Sequence, residues 1–252
     1  TVRRDDTSNG PIPLFFARVL GIDSASVTAT AAATFKDGAV GYRVNARTGN
    51  AELLPLALHI DAWNDLLARV RTIGDNFTHD PDSQTVSVGP DGVFELNLFP
   101  GGGADQLPPG NFGTVDIGSD NNSTADLARQ IRYGISEQDL AYHGGELRFG
   151  PDGTLTLNGD TGLSAAIKDD LAAIKGQPRA IPLFNQVVGN GNNAQFTIVG
   201  FAGVTVLDVR LTGAMNSKKV VIQPAFVVDD AVITDAGSGS SFFVYAPVRL
   251  SR

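Results

Sequence analysis

The segment from Pro109 to Gly134 constrains the fold more than any other, because it encodes a tight turn, a strand and a capped helix in immediate succession. Pro109-Gly110 is typical of a turn, and an Asn-rich turn follows the strand. The helix is predicted over Thr124–Tyr133, with a Ser/Thr cap at its start and Gly134 at its end. The segment offers no nucleophile with a matching base, so it predicts a scaffold rather than a catalytic centre.

Three further segments are predicted to form β-hairpins. The first two place Gly-Pro-Asp-Gly, at residues 89–92 and 150–153, between stretches of alternating polar and apolar residues. Pro presets the first turn residue, Asp bonds back to the backbone and Gly takes the positive φ. The third hairpin turns at Gly189–Asn193. The three predicted hairpins are Thr85–Leu98, Glu146–Leu157 and Pro182–Thr205.

Apolar residues at helical spacing predict helices at Pro13–Ile22, at Leu53–Ile73 and at Ser164–Lys175. The second is one amphipathic helix or two short helices broken near Ile60, and its single tryptophan, Trp63, is predicted to lie in the core. A last strand, Phe242–Leu250, is expected at a sheet edge, in its own molecule or in a neighbour.

These elements predict an α+β fold made mainly of antiparallel β-sheet with several packed helices. We expect residues 1–252 to form a single β-rich domain, and the sequence allows a sub-boundary near residues 100–110.

Composition excludes several classes of function. A hydrophobic content of 42% is ample for a core, and the absence of cysteine excludes disulfides, thiolate metal sites and a cysteine nucleophile. The net charge of −8 argues against a nucleic-acid partner, since phosphate binding needs clustered Lys and Arg. There is no run of about 18 or more apolar residues, so the sequence predicts no membrane-spanning helix.

A candidate Ca²⁺ site lies in the Asn-rich turn before the helix at Thr124–Tyr133. Five oxygen-bearing side chains are concentrated there, and hard cations prefer such ligands. Their spacing differs from that of an EF-hand, so capping of backbone groups is the alternative interpretation. The candidate ligands are Asp116, Asp120, Asn121, Asn122 and Asp126.

No arrangement typical of an enzyme occurs in the sequence. His59, His79 and His143 lie far apart, and there is no Gly-x-Ser-x-Gly segment around a serine nucleophile. Adjacent acids such as Asp169-Asp170 and Asp229-Asp230 point apart on a strand, so neither pair forms a catalytic dyad by itself. The sequence therefore predicts a protein without enzymatic activity.

Several segments together resemble TadG-like proteins of bacterial tight-adherence (Tad, or Flp) pilus systems, the TadE/TadG family. Segment 109–134 is similar to these proteins in its order of turn, strand, Asn-rich turn and helix. The run Phe15-Phe16-Ala17-Arg18 before a Thr/Ala-rich strand is similar to the region after their membrane-proximal part. Segments 159–171, 176–184 and 196–204 are similar to their C-terminal regions in order and spacing.

The resemblance implies an exported protein at the bacterial cell surface, extracellular or periplasmic, without catalytic residues or a certain cofactor. Its partners would be other pilus-system or envelope proteins, and it would form homo-oligomers or filaments through sheet edges. It also implies a membrane anchor upstream of Thr1. One alternative is a secreted adhesin or carbohydrate-binding module that uses the Asp/Asn turns, with or without Ca²⁺. Another is an extracellular hydrolase that uses dispersed Asp residues, for which the sequence offers no motif.

Overall fold

The structure, a computed structural model, describes residues 2–4, 7, 10–13, 24–29, 38–99, 110–214, 217–235 and 240–247. The chain divides into two compact units. One comprises Thr1–Phe35 with Val248–Arg252, and the other comprises Lys36–Pro247. A single domain remains a prediction. The sub-boundary near 100–110 and the helix at Pro13–Ile22 fall almost wholly outside the described residues.

The smaller unit contains two short antiparallel strand pairs. Strand β1 (Val2–Arg4) pairs with β4 (Val27–Ala29), and β2 (Ile12–Pro13) pairs with β3 (Ser24–Ala25).

The larger unit is rich in β-strands and also carries short helices. Its strands in chain order are β5 (Ala39–Tyr42), β6 (Leu56–His59), β7 (Phe77–Asp80), β8 (Thr85–Val88), β9 (Leu96–Asn97), β10 (Phe112–Val115), β11 (Leu147–Arg148), β12 (Leu155–Asp160), β13 (Pro178–Val188), β14 (Ala194–Arg210), β15 (Lys219–Pro224), β16 (Val227–Val228), β17 (Val232–Thr234), β18 (Ser240–Phe242) and β19 (Val244–Tyr245). Its helices are α1 (Ile60–Leu67), α2 (Thr124–Tyr133), α3 (Glu137–Ala141) and α4 (Lys168–Ala173), with 3₁₀ turns at Ala165–Ile167 and Gly191–Asn193.

Five strands close into a ring in the order β6, β10, β12, β14, β13 and back to β6. Every neighbouring pair is antiparallel except β6 with β13, which is parallel. Strands β15 and β9 extend the sheet from β14, and β18 pairs with β14 in parallel. The β-rich α+β class predicted from the sequence is therefore confirmed.

The apolar residues form two clusters on opposite faces of the ring. All five ring strands contribute to the first cluster, which includes Phe184 and Phe196. The second cluster contains Trp63 of α1, Ile131 of α2 and Leu171 of α4. Since strand side chains alternate between faces, the first cluster fills the ring and the second lies between the sheet and the helices. The predicted core position of Trp63 is confirmed, because its side chain is fully buried.

Helix α2 begins and ends where the sequence predicted. Ser123 and Asp126 form a reciprocal capping box at its start, and Gly134 ends it with a φ of 77°. The helix predicted over Leu53–Ile73 is wrong in its first part, where β6 forms before α1. Pro55 disfavours a helical conformation of the preceding residue, and leucines at alternate positions serve a strand buried on both faces.

Only the third predicted hairpin is confirmed, as β13 and β14. Strand β8 pairs instead with β7, and β9 pairs with β15. Strand β11 pairs with β5, whereas β12 joins the ring, although the turn at 150–153 forms with Gly150 N donating to Thr154 O at 2.7 Å. Turn chemistry thus fixed the local bend, while burial of apolar side chains decided which strands pair.

None of the helices in the described part of the chain is long and apolar enough to cross a membrane.

Candidate functional site

The predicted Ca²⁺ turn lies between β10 and α2, and its carboxylates accept bonds from the protein. Asp116 is buried, and its Oδ1 accepts a hydrogen bond from Asn122 N at 3.1 Å. Burial raises the pKa of Asp116 despite this bond. Asp126 Oδ2 accepts from Ser123 N at 3.0 Å and from Ser123 Oγ at 2.7 Å. Asp120 accepts from the hydroxyl of Tyr142.

The amides of the same turn differ in their surroundings. Asn122 Nδ2 donates to Ile117 O at 3.2 Å and to Gln130 Oε1 at 3.1 Å, whereas Asn121 is exposed. No cluster of three or more metal-ligating His, Cys, Asp and Glu side chains occurs among the described residues. Ca²⁺ binding here therefore stays a prediction, and the hydrogen bonds in place are those of a turn that caps a helix.

Asp139, which the sequence analysis did not single out, is the centre of a larger network. Its carboxylate takes a bidentate ion pair from Arg129, with N–O distances of 3.0 and 2.5 Å, and a bond from Gln130 Nε2 at 3.1 Å. Ser136 caps α3 and also donates to Asp139. Burial raises the pKa of Asp139, but the bonds from Arg129, Ser136 and Gln130 outweigh it, so the pKa lies below its ordinary value.

A polar cleft of about 520 Å³ lies beside this network, between α2 and α3. Tyr133 lines it with a 66% exposed side chain, and Asn50 at its rim donates from Nδ2 to Tyr133 O at 2.8 Å. This volume is within the range of about 300–1,000 Å³ that is usual for small-molecule sites. An exposed ring beside amide and carboxylate groups can hold a polar organic ligand such as a sugar.

The three histidines make separate structural contacts. His59 Nδ1 accepts from Asp61 N at 3.2 Å and caps α1, while His79 Nε2 lies 2.8 Å from Gly176 O. His143 Nε2 accepts from Gly118 N at 3.3 Å, and burial lowers the pKa of His143. The neutral ring that this bond requires is therefore favoured near neutral pH.

A second network of ionisable groups lies at the end of β16, where Asp229 and Arg179 are buried and Glu52 is half-buried. Asp229 accepts from Glu52 N at 2.7 Å and from Ala231 N at 2.8 Å, and Arg179 pairs with Glu52 at 2.5 Å. Burial raises the pKa values of Asp229 and Glu52 and lowers that of Arg179. These bonds tie three parts of the chain together. Asp230 is exposed whereas Asp229 is buried, so this Asp-Asp pair does not present two carboxylates to one site.

Two exposed apolar side chains and two half-buried aromatic rings lie together at the β16–β19 pair. We name this set the aromatic edge: Phe226, Val228, Phe243 and Tyr245. Phe226 is 68% exposed and Val228 is 50% exposed. The Phe226 ring packs edge-on against Phe243 at 5.4 Å and stacks on Tyr245 at 6.0 Å. The final strand, predicted to dock at a sheet edge, lies in its described part against β14 and β16 of its own molecule.

Comparison with known proteins finds no match to this chain among protein-family models, curated proteins or solved structures. The resemblance to TadG-like proteins therefore depends on the residues quoted above, and membership of that family stays a prediction.

Proposed function

We propose that this chain is a non-enzymatic structural protein of a bacterial cell surface, TadG-like and associated with pilus assembly, that acts through protein–protein contacts. The observation that supports the proposal most is the aromatic edge. Aromatic side chains are enriched at protein interfaces, whereas single exposed apolar residues are ordinary. Here the exposed Phe226 and Val228 adjoin two half-buried aromatic rings, which makes a continuous apolar patch. The buried carboxylates of both networks also accept hydrogen bonds from the protein itself, as structural groups do.

The contact function is tested by measuring mass in solution against concentration by light scattering. We expect growth into oligomers that the double substitution Phe226→Ser with Val228→Ser reduces. Val88→Ser is the matched control, because Val88 is 89% exposed on β8 and lies outside the aromatic edge. A strict monomer at every concentration would rule out self-assembly and leave contact with other envelope proteins.

The pilus role is tested in the bacterium that encodes the chain. Deleting the gene should remove surface pili counted by electron microscopy, and the wild-type gene should restore them. The Phe226→Ser with Val228→Ser variant should restore fewer pili at equal protein level. Normal pili in the deletion strain would contradict a role in pilus assembly.

A second candidate function, an adhesin or carbohydrate-binding module, is favoured by Tyr133 in its polar cleft. We expect Tyr133→Ala to abolish binding to a glycan array if the cleft holds a sugar. Phe226→Ala should leave binding intact, because Phe226 is an exposed aromatic residue that does not line the cleft. Repeating the assay with millimolar Ca²⁺ and with a chelator tests the turn at Asp116 and Asp126. If glycan binding survived Tyr133→Ala, this cleft would be excluded as the sugar-binding site.

A further inference from the structure

A small apolar groove lies beside the C-terminal end of α1. Leu67, Phe94 and Phe243 contribute apolar walls, and its volume is about 200 Å³. Leu67 is 39% exposed there. The groove is smaller than small-molecule sites of about 300–1,000 Å³, so it fits a single inserted side chain of a protein partner. Bulky side chains that enter such pockets carry much of the affinity of protein interfaces.

Two residues of this groove have a left-handed backbone conformation. Arg69 has a φ of 58° and Phe243 has a φ of 61°, and Gln84 is the other non-glycine residue with positive φ in the described part of the chain. This conformation is unfavourable for bulky side chains and persists only where the surroundings hold it. At Arg69 the conformation belongs to the end of α1, where Arg69 N donates to Leu66 O at 3.0 Å and Val70 N donates to Asp65 O at 2.8 Å. Phe243 is the groove residue whose positive φ no helix end explains, and such strain concentrates at ligand-binding positions.

Arg69 places a cation at the rim of the groove. Its guanidinium carbon lies 4.5 Å from the centroid of the Phe94 ring. A stacked guanidinium keeps its N–H groups in its own plane, where they can donate to a carboxylate. The nearby carboxylate of Asp65 pairs with Arg71 instead. The rim therefore presents donors to an incoming negative group.

We propose that this groove binds a segment of a partner protein in which a bulky apolar side chain is followed by a carboxylate residue. The apolar side chain enters between Leu67, Phe94 and Phe243, and the carboxylate accepts hydrogen bonds from Arg69. Charge complementarity at the rim selects the acidic residue, and the apolar walls select its neighbour. The inference rests on the proposed function in protein contacts and specifies the chemistry of the partner.

The test uses a synthetic peptide with blocked ends and the central sequence Leu-Phe-Asp, together with Leu-Phe-Asn and Ser-Ser-Asp versions. Trp63 is the single tryptophan, and its ring lies 6.3 Å from that of Phe243, so intrinsic fluorescence reports binding. We expect the Leu-Phe-Asp peptide to bind up to about fivefold more tightly than the Leu-Phe-Asn peptide, as for an exposed ion pair. The Ser-Ser-Asp peptide should not bind.

Two substitutions separate the two parts of the groove. Arg69→Gln should remove the preference for Asp over Asn while both peptides still bind. Leu67→Ser should weaken both peptides by on the order of tenfold. Arg47→Gln is the matched control, since Arg47 is another exposed arginine, and it should change neither affinity. Far-UV circular dichroism checks that each variant is folded.

Equal binding of the Asp and Asn peptides, or a preference that survives Arg69→Gln, would overturn the proposal. Failure of the Leu-Phe-Asp peptide to bind would also overturn it. If the protein then formed dimers that Leu67→Ser abolishes, the groove would hold a second copy. The pilus function fails independently, when the deletion strain keeps its pili whatever the peptides do.

Discussion

Asp139 stabilises the contact between α2 and α3 through a carboxylate that is 7% exposed. Its partners Arg129 and Gln130 lie on α2, and Ser136 lies at the start of α3. Because these bonds favour the ionised form, they lower the pKa of Asp139 and contribute to stability only while it is ionised.

Asp139→Asn should therefore lower the free energy of unfolding by about 2 kcal/mol near neutral pH, the scale of hydrogen bonds to a charged group. The folded-state pKa lies below the unfolded one, so this stability is present above the unfolded pKa. It is lost as pH falls through the folded pKa. Urea unfolding at a series of acidic pH values should show a smaller loss of stability for the variant than for the wild type.

The matched control is Asp169→Asn. The Asp169 side chain is 74% exposed and pairs with Lys168. This substitution should change stability by less than about 0.5 kcal/mol. If the two substitutions lowered the free energy of unfolding equally, the hydrogen bonds of Asp139 would add no more stability than an exposed ion pair.

The sequence predicted part of this region and missed the rest for a physical reason. The cap at the start of α2 depends on neighbouring residues, so residue type and spacing revealed it. Arg129 and Asp139 meet because the chain turns at Gly134, where an added Cβ would lie 2.3 Å from Ala51 O. That contact depends on the tertiary fold, and in the sequence both residues look like ordinary solvated charges.

At the scale of elements, β10 and β12 approach each other over a pair of glycines. An added Cβ would lie 2.4 Å from Asp160 O at Gly113 and 2.1 Å from Thr114 O at Gly159. The Phe196 ring contacts both glycine positions. Strands β10 and β12 therefore need glycine at these two positions, because any side chain would collide with the neighbouring backbone and with Phe196.

Gly159→Ala should destabilise the protein by about 2 kcal/mol or more, because the methyl group meets backbone that cannot move freely. Gly162→Ala provides the comparison, since the nearest atom to its added Cβ is Asp160 Oδ1 at 3.8 Å. Thermal unfolding measures both. A loss of stability no larger for Gly159→Ala than for Gly162→Ala would mean that the strands can separate at little cost.

The elements that the sequence predicted best are those with local signals. Helix α2 has its cap and terminal glycine, and β13–β14 has a long apolar run on each side of a polar turn. The Gly-Pro-Asp-Gly turns were equally clear, yet the strands beside them pair with distant segments. The residues of a turn specify a change of chain direction. The pairing partner of each strand depends on the tertiary packing of the whole sheet.

At the scale of the whole molecule, β14 is the central strand of the larger unit. It pairs with β12, β13, β15 and β18 along its 17 residues. The β7–β8 pair, in contrast, forms a separate two-stranded sheet whose residues are mostly half-buried or exposed.

Native-state hydrogen exchange should follow this difference. We expect the amides of β14 to exchange last and those of β7 and β8 to exchange far earlier, because local opening of the small sheet exposes little apolar surface. Mass spectrometry of peptic fragments resolves the two regions. Equal protection of β8 and β14 would indicate that the larger unit opens only as a whole.

The parallel pair of β6 with β13 joins two ring strands that are made far apart in time during synthesis. Strand β6 leaves the ribosome before every other strand of the ring, and β13 emerges only after β10 and β12. Until β13 emerges, one edge of β6 has unpaired backbone N–H and C=O groups. Such an edge can pair with another chain and cause aggregation. A nascent chain interrupted before Pro178 therefore needs a chaperone, and a product truncated there should collect in the insoluble fraction.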